Sequence, residues 1–60
     1  MPVITLEAAQ LSKEQKQQLA KELTASAARI MKMPEEAFYV FLKENALENV
    51  SVGGKLLSDK

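Results

Sequence analysis

The feature of this sequence that most limits its folding is the absence of both cysteine and histidine from a chain of 60 residues. A single core below about 70 residues rarely supplies more than roughly 3–5 kcal/mol, so small proteins usually add disulfides, metals or partner subunits. Without these two residue types, disulfides and the common zinc sites are excluded. We therefore expect one domain over residues 1–60, stabilised by self-association, and the apolar content of 47 % supplies surface for it.

The charge and the hydropathy of the sequence limit the classes of partner that we expect it to bind. Eight basic residues balance eight acidic ones, and Arg29 is the only arginine. Nucleic-acid binding needs clustered Lys and Arg to neutralise phosphates, so no nucleic-acid partner is expected. No apolar run approaches the roughly 20 residues that span a bilayer, and the start Met1-Pro2-Val3-Ile4 lacks the basic segment of a signal peptide. We expect a cytoplasmic protein without a membrane partner.

Hydrophobic patterning predicts two strands around one helix. Val3 to Glu7 is β-branched and apolar, which indicates a strand, and Phe38 to Lys43 indicates a second. Ser12 and Gln15 have the spacing of a capping box, which predicts that a helix begins there. An apolar stripe of 3.6-residue period continues that helix for about 20 residues, to Met33-Pro34, where proline ends it. The stripe consists of Leu19, Leu23, Ala27 and Ile30.

The second predicted strand is apolar on both of its faces. Phe38, Val40 and Leu42 share one face, and Tyr39, Phe41 and Lys43 share the other. A single helix covers only one face of a sheet, so we expect the Tyr39 face to meet another subunit. Two strands around one helix form a βαβ unit, for which a right-handed crossover is expected.

The end of the sequence predicts a turn followed by a short tail. Paired glycines, Gly53-Gly54, permit positive φ and are typical of a tight turn. Lys55 to Lys60 is the tail, and it is able to add a short strand to a neighbouring subunit. The same glycines lack the strand–loop–helix setting of a phosphate-binding loop.

Pro2 carries the distinctive chemical possibility of this sequence. Removal of Met1 would leave a secondary amine on a rigid ring. An ordinary α-amino group titrates at about 7.7–8.0, and apolar burial or a nearby cation would lower that pKa. A base near neutrality suits proton abstraction beside a carbonyl. Met-Pro also begins unrelated proteins, so it does not identify an enzyme by itself, and the glutamates are predicted to be solvated.

The order of these motifs resembles the 4-oxalocrotonate tautomerase family. Pro2 is followed at once by a strand, SKEQKQQL at Ser12–Leu19 resembles the family's helix start, Pro34 stands at the helix exit, and SVGGKLL at Ser51–Leu57 resembles its hairpin. The resemblance covers nearly the whole chain. It implies an α+β fold, with a βαβ protomer and a C-terminal hairpin. It further implies a dimer with a four-stranded sheet backed by two helices, commonly assembled as a hexamer.

The resemblance also implies a reaction. In that family the amino-terminal proline is the general base in keto–enol or 1,3-allylic proton transfer on 2-oxo or 2-hydroxy unsaturated acids. For this chain it implies an isomerase in which Pro2 is catalytic, with a small-molecule acid as substrate. No cofactor and no metal are expected.

Three positions depart from the family pattern. Members that act on dicarboxylates carry arginines just before the capping serine and early in the second strand, where this sequence has Leu11 and Tyr39. Val50 replaces an aromatic residue before the glycine turn. The bidentate carboxylate anchors are therefore missing. We take Leu11, Tyr39 and Val50 as candidate substrate-binding residues, and Tyr39 is either a hydrogen-bond donor to an enolate or an interface aromatic.

Two alternatives remain open at this point. The missing arginines favour a non-catalytic oligomer that keeps the fold, whereas Pro2 favours the enzyme. A hydratase or dehalogenase, in which a protonated Pro2 acts as an acid, ranks last because relatives that use that route rely on arginines.

Overall fold

The structure, a computed structural model, describes residues 1–59. Its main elements confirm the predicted order: strand β1 spans Val3–Ala8, helix α1 spans Lys13–Met31 and strand β2 spans Tyr39–Glu44. One short 3₁₀ turn, Glu35–Ala37, precedes β2, and a second, Leu47–Asn49, follows it. Strands β3 and β4 then form a small hairpin, over Ser51–Val52 and Lys55–Leu56.

The predicted capping box begins the helix. The Gln15 amide donates to Ser12 Oγ at 3.1 Å, and the Ser12 amide donates to Gln15 Oε1 at 2.9 Å. Two of the amides that no helical carbonyl can reach are thereby satisfied.

The helix ends two residues before the predicted Met33-Pro34 stop. Lys32 adopts a left-handed conformation with φ 57° and ψ 48°, and its amide donates to the Ala28 carbonyl. The Met33 amide donates to the same carbonyl at 3.1 Å. This closure satisfies a terminal carbonyl without a further helical turn, so proline is not needed to end the helix.

Strands β1 and β2 are parallel neighbours, in a register that runs from Val3 opposite Tyr39 to Ala8 opposite Glu44. β2 lies one residue later than predicted, because the Phe38 amide is used by the preceding 3₁₀ turn, where it donates to the Glu35 carbonyl. The alternation of faces is as expected. One face turns towards α1; the other, which we call the open face, is uncovered and carries Val3, Thr5, Glu7, Tyr39, Phe41 and Lys43.

Only a thin core forms beneath the helix. Within residues 1–59, Ala28 is the one buried residue, and it is still 8 % exposed. The predicted stripe is partly wrong, because Ile30 is 69 % exposed whereas Leu19, Leu23 and Ala27 are half-buried. A helix of 19 residues is about 28 Å long, but strands of six residues reach only about 20 Å. The last turn of α1 therefore extends beyond the sheet.

The shape of the chain is that of a plate. Its radius of gyration is 14.7 Å and its extents are 44 × 24 × 14 Å, whereas a globular chain of this length has a radius near 10 Å. On the open face, Tyr39 and Phe41 are 51 % and 49 % exposed. A single chain thus leaves a large apolar surface in water. Self-association, and a hexamer in particular, remain predictions.

The predicted glycine turn is confirmed. Gly53 and Gly54 have φ of 62° and 84° and connect β3 to β4 with a two-residue loop. The Leu57 amide donates to the Val50 carbonyl at 2.8 Å, which extends the pairing beyond both strands. The first part of the predicted tail is therefore β4; its last residue, Lys60, lies outside the described residues, and strand addition to a neighbour remains a prediction. Across residues 1–59, no helix combines the length and the hydropathy needed to cross a bilayer.

We expect Ser12→Ala to destabilise each chain by about 0.5–2 kcal/mol, the usual loss when a capping hydroxyl is removed. Denaturant unfolding at a fixed chain concentration measures it. Ser26→Ala is the matched control, because Ser26 is exposed inside α1 and alanine is favourable there. Equal midpoints for the two variants would contradict the role of Ser12.

Candidate active site

Two of the predicted site residues meet at the amino end of the sheet. The Tyr39 amide donates to the Pro2 carbonyl at 3.0 Å, so the start of β2 holds the residue that precedes β1. Pro2 is half-buried, and Met1 beyond it is 81 % exposed. The structure therefore places Pro2 beside Tyr39, at an edge of the plate that solvent reaches.

The other two predicted site residues lie at the opposite, carboxyl end of the sheet. The Leu11 amide donates at 2.8 Å to Oε2 of Glu44, the last residue of β2. Val50 follows the 3₁₀ turn that comes after β2. Six-residue strands separate the two ends by about 20 Å. Within one chain, neither Leu11 nor Val50 can therefore share a small substrate with Pro2.

A groove of about 440 Å³ lies at this carboxyl end, and we call it the Val50 groove. Its apolar wall consists of Ala8, Ala9, Leu47, Val50 and Leu57. Its polar groups are Glu7, Asn45 and Asn49, and no lysine or arginine is among its lining residues.

One hydrogen-bonded pair fixes the polar side of the Val50 groove. Asn45 Nδ2 donates to Glu7 Oε1 at 3.0 Å. The Asn45 amide donates to the Ala8 carbonyl at 2.8 Å, which anchors the backbone that carries this side chain. Sequence reasoning treated Glu7 as solvated. The sequence did contain a signal for this contact, because polar residues at the ends of two neighbouring parallel strands meet at one edge of the sheet.

Glu44 is a second residue that sequence reasoning missed. Besides the Leu11 amide, its carboxylate accepts a hydrogen bond from Lys16 Nζ at 3.0 Å. These contacts tie the end of β2 to the loop before α1 and to the first turns of that helix. The Leu11 hydrogen bond, then the Lys16 hydrogen bond and charge, lower the pKa of Glu44 because they favour the ionised carboxylate.

The chemistry at Pro2 depends on Met1. While Met1 is attached, the Pro2 nitrogen is a tertiary amide, which has no basic lone pair and no proton to donate. Once Met1 is removed, the same atom is a secondary amine directly before the exposed start of β1. Within residues 1–59, no group of three or more histidine, cysteine, aspartate or glutamate side chains is arranged to hold a metal ion.

Comparison with known proteins gives consistent matches. The family model described as "Tautomerase enzyme" matches residues 2–60. A probable tautomerase of Bacillus cereus is 39 % identical over 61 residues and covers 100 % of both chains. The crystal structure of a 4-oxalocrotonate tautomerase homologue has a TM-score of 0.91 and 33 % identity, over 100 % of this chain and 97 % of the other. YwhB, also a homologue of 4-oxalocrotonate tautomerase, has a TM-score of 0.90 and 30 % identity, over 98 % of each chain.

The depressed pKa of Glu44 predicts a pH-dependent contribution to stability. A carboxylate whose pKa is lower in the folded state stabilises that state above its unfolded pKa, and the contribution disappears as the pH falls through the folded pKa. Wild type should therefore have a higher urea midpoint than Glu44→Gln at pH 6–7, and the two midpoints should converge on acidification.

Lys16→Met is the companion variant for this experiment. It removes one partner of Glu44 and keeps the Leu11 hydrogen bond, so its pH dependence should be weaker than that of wild type but still present. A difference between wild type and Glu44→Gln that stays constant down to low pH would rule out this role for the carboxylate.

Proposed function

The chain belongs to the tautomerase family, and on that premise we propose that it is an isomerase whose general base is Pro2. The reaction is keto–enol or 1,3-allylic proton transfer on a 2-oxo or 2-hydroxy unsaturated acid, and it uses no cofactor. The family match over residues 2–60 supports tautomerase activity in general. The observation that carries the assignment to Pro2 is its position at the exposed start of β1, beside Tyr39.

The proposed step needs only one basic atom. After Met1 is removed, the Pro2 amine takes the proton of the enol hydroxyl, the C–O bond becomes a carbonyl, and the electron pair of the C=C bond moves to carbon. The protonated Pro2 then returns a proton to that carbon, which restores the free amine. Negative charge develops on oxygen during this transfer, and the Tyr39 hydroxyl is the proposed hydrogen-bond donor to it.

A second copy of the chain is proposed to complete the site. The apolar open face and the plate-like shape support association between copies. A partner that continues the sheet about a two-fold axis runs antiparallel to the first chain, so the amino end of each sheet lies beside the carboxyl end of the other. Pro2 of one chain would then face the Val50 groove and Leu11 of its partner. Pairing along the sheet edge leaves the open face bare, and a hexamer of three such dimers would cover it, including Tyr39 and Phe41, which are 51 % and 49 % exposed.

The second candidate function is a non-catalytic oligomer with the same fold. The observation that favours it is the chemistry at the two anchor positions, which hold Leu11 and Tyr39 instead of arginines. An uncharged pair cannot bind a carboxylate in the bidentate manner of arginine. The enzyme proposal therefore requires a substrate that is smaller or less anionic than a dicarboxylate, or one that is held differently.

We expect light scattering to show at least a dimer, and a hexamer at micromolar concentration. Phe41→Lys should shift the protein from the hexamer towards the dimer, because it places a charge at the centre of the open face, which the association of dimers would cover. Ala25→Lys is the control, since it adds the same charge to the exposed side of α1. A stable wild-type monomer at micromolar concentration would refute the proposed assembly.

The proposed base predicts a loss of activity in Pro2→Ala. A primary amine on a flexible residue replaces a positioned ring nitrogen, so we expect a decrease in kcat/KM of about 100-fold, towards the lower end of general-base effects. Phenylenolpyruvate and 2-hydroxymuconate are suitable test substrates. Mass spectrometry must first establish that Met1 is absent from the purified protein.

Two further proteins make this experiment decisive. A chain that retains Met1 should be less active than Pro2→Ala, because its nitrogen is an amide. Tyr39→Phe removes only the hydroxyl, and a decrease of about 10- to 1,000-fold in kcat would support its role at the enolate oxygen. If processed wild type and Pro2→Ala turn over the enol equally well, Pro2 is not the base. If the processed wild type is inactive on both substrates, the non-catalytic candidate is favoured.

A further inference from the structure

The charge of the Val50 groove is unusual for a site that is expected to receive an acid. Glu7 contributes a carboxylate to it, Asn45 and Asn49 contribute neutral amides, and the remaining lining is apolar. The hydrogen bond from Asn45 Nδ2 to Glu7 Oε1 holds that carboxylate at the groove. Within residues 1–59 this carboxylate accepts no other hydrogen bond and forms no ion pair, so it lines the groove with its charge unpaired.

The position of Glu7 matters because of the proposed pairing of chains. Glu7 lies on the open face, near the carboxyl end of β1. In an antiparallel pair this end lies beside Pro2 of the other chain. A substrate whose reacting carbon is at Pro2 would therefore extend its far end towards Glu7.

We propose that Glu7, held by Asn45, is a specificity-determining residue that excludes a second anionic group from the far end of the substrate. This inference rests on the proposed tautomerase function. The substrate class that fits is a monocarboxylic enol or keto acid whose far end is apolar or donates a hydrogen bond. The apolar wall of the Val50 groove accommodates the first kind of group, and the carboxylate and amides bind the second.

Lys43 allows the direction of the proposed electrostatic effect to be tested, because its charge is opposite to that of Glu7. It is the register neighbour of Glu7 on the open face, but within residues 1–59 the two side chains form no ion pair. Because neighbouring strands lie about 4.8 Å apart, a cation at this register position would offset part of the repulsion by Glu7. Removing the cation should therefore strengthen the exclusion of a dianion, whereas removing the carboxylate should weaken it.

The experiment compares kcat/KM for the dicarboxylate 2-hydroxymuconate and the monocarboxylate phenylenolpyruvate. Glu7→Gln is isosteric and keeps an oxygen for Asn45, and it should raise the dicarboxylate-to-monocarboxylate ratio by about 3- to 30-fold at low ionic strength. The gain should shrink in high salt, because screening weakens the repulsion in wild type. Lys43→Gln should lower the same ratio. Glu22→Gln is the control, since it removes the same charge from the exposed side of α1 and should leave the ratio unchanged.

The outcomes separate this inference from the proposed function. Active enzymes whose substrate ratio is the same in wild type and Glu7→Gln would overturn the role of Glu7 and leave the tautomerase proposal intact. If wild type is inactive, calorimetric binding of the same two acids replaces turnover as the readout. A gain in affinity for the dicarboxylate in Glu7→Gln then supports the inference, although the proposed function has failed. Equal or undetectable binding in both proteins overturns the inference as well.

Discussion

The stability of this protein and its proposed assembly both depend on the small size of its hydrophobic core. One helix covers one face of a two-stranded sheet, and Ala28 is the only buried residue within residues 1–59. The apolar side chains of the open face, with Phe41 at the centre, cannot be covered by their own chain. Because disulfides and histidine–cysteine metal sites are also excluded by composition, burial of that face between copies is the available source of further stability.

Local sequence patterns were sufficient to predict the elements of the fold. The predictions that failed concern features that depend on the three-dimensional arrangement of those elements. The capping box at Ser12 and the turn at Gly53-Gly54 depend on neighbouring residues, and both were predicted correctly. The exposure of Ile30 depends on the difference in length between the helix and the strands. The end of α1 depends on the left-handed conformation of Lys32, which no residue pattern in this segment indicates.

The candidate site was predicted only in part for a related reason. Adjacency of Pro2 and Tyr39 follows from the register of two parallel strands, which the hydrophobic pattern does not specify. The hydrogen bonds of Glu44 and Glu7 were missed because each depends on a partner at least 33 residues away in sequence, Leu11 for Glu44 and Asn45 for Glu7. A glutamate in a short polar segment gives no sign of such a contact, and solvation is its usual state.

Under the proposed pairing, the separation of Pro2 from the Val50 groove would link activity to assembly. If the base comes from one chain and the groove from another, each substitution that weakens assembly acts on catalysis through the fraction of complete sites as well as directly. Activity per chain would then fall on dilution below the dissociation constant of the pair, while the chemistry of each intact site stayed unchanged. A substitution at Phe41, which is not one of the proposed reacting groups, would lower activity by weakening assembly. Effects of substitutions on turnover must therefore be compared at a chain concentration where assembly is complete.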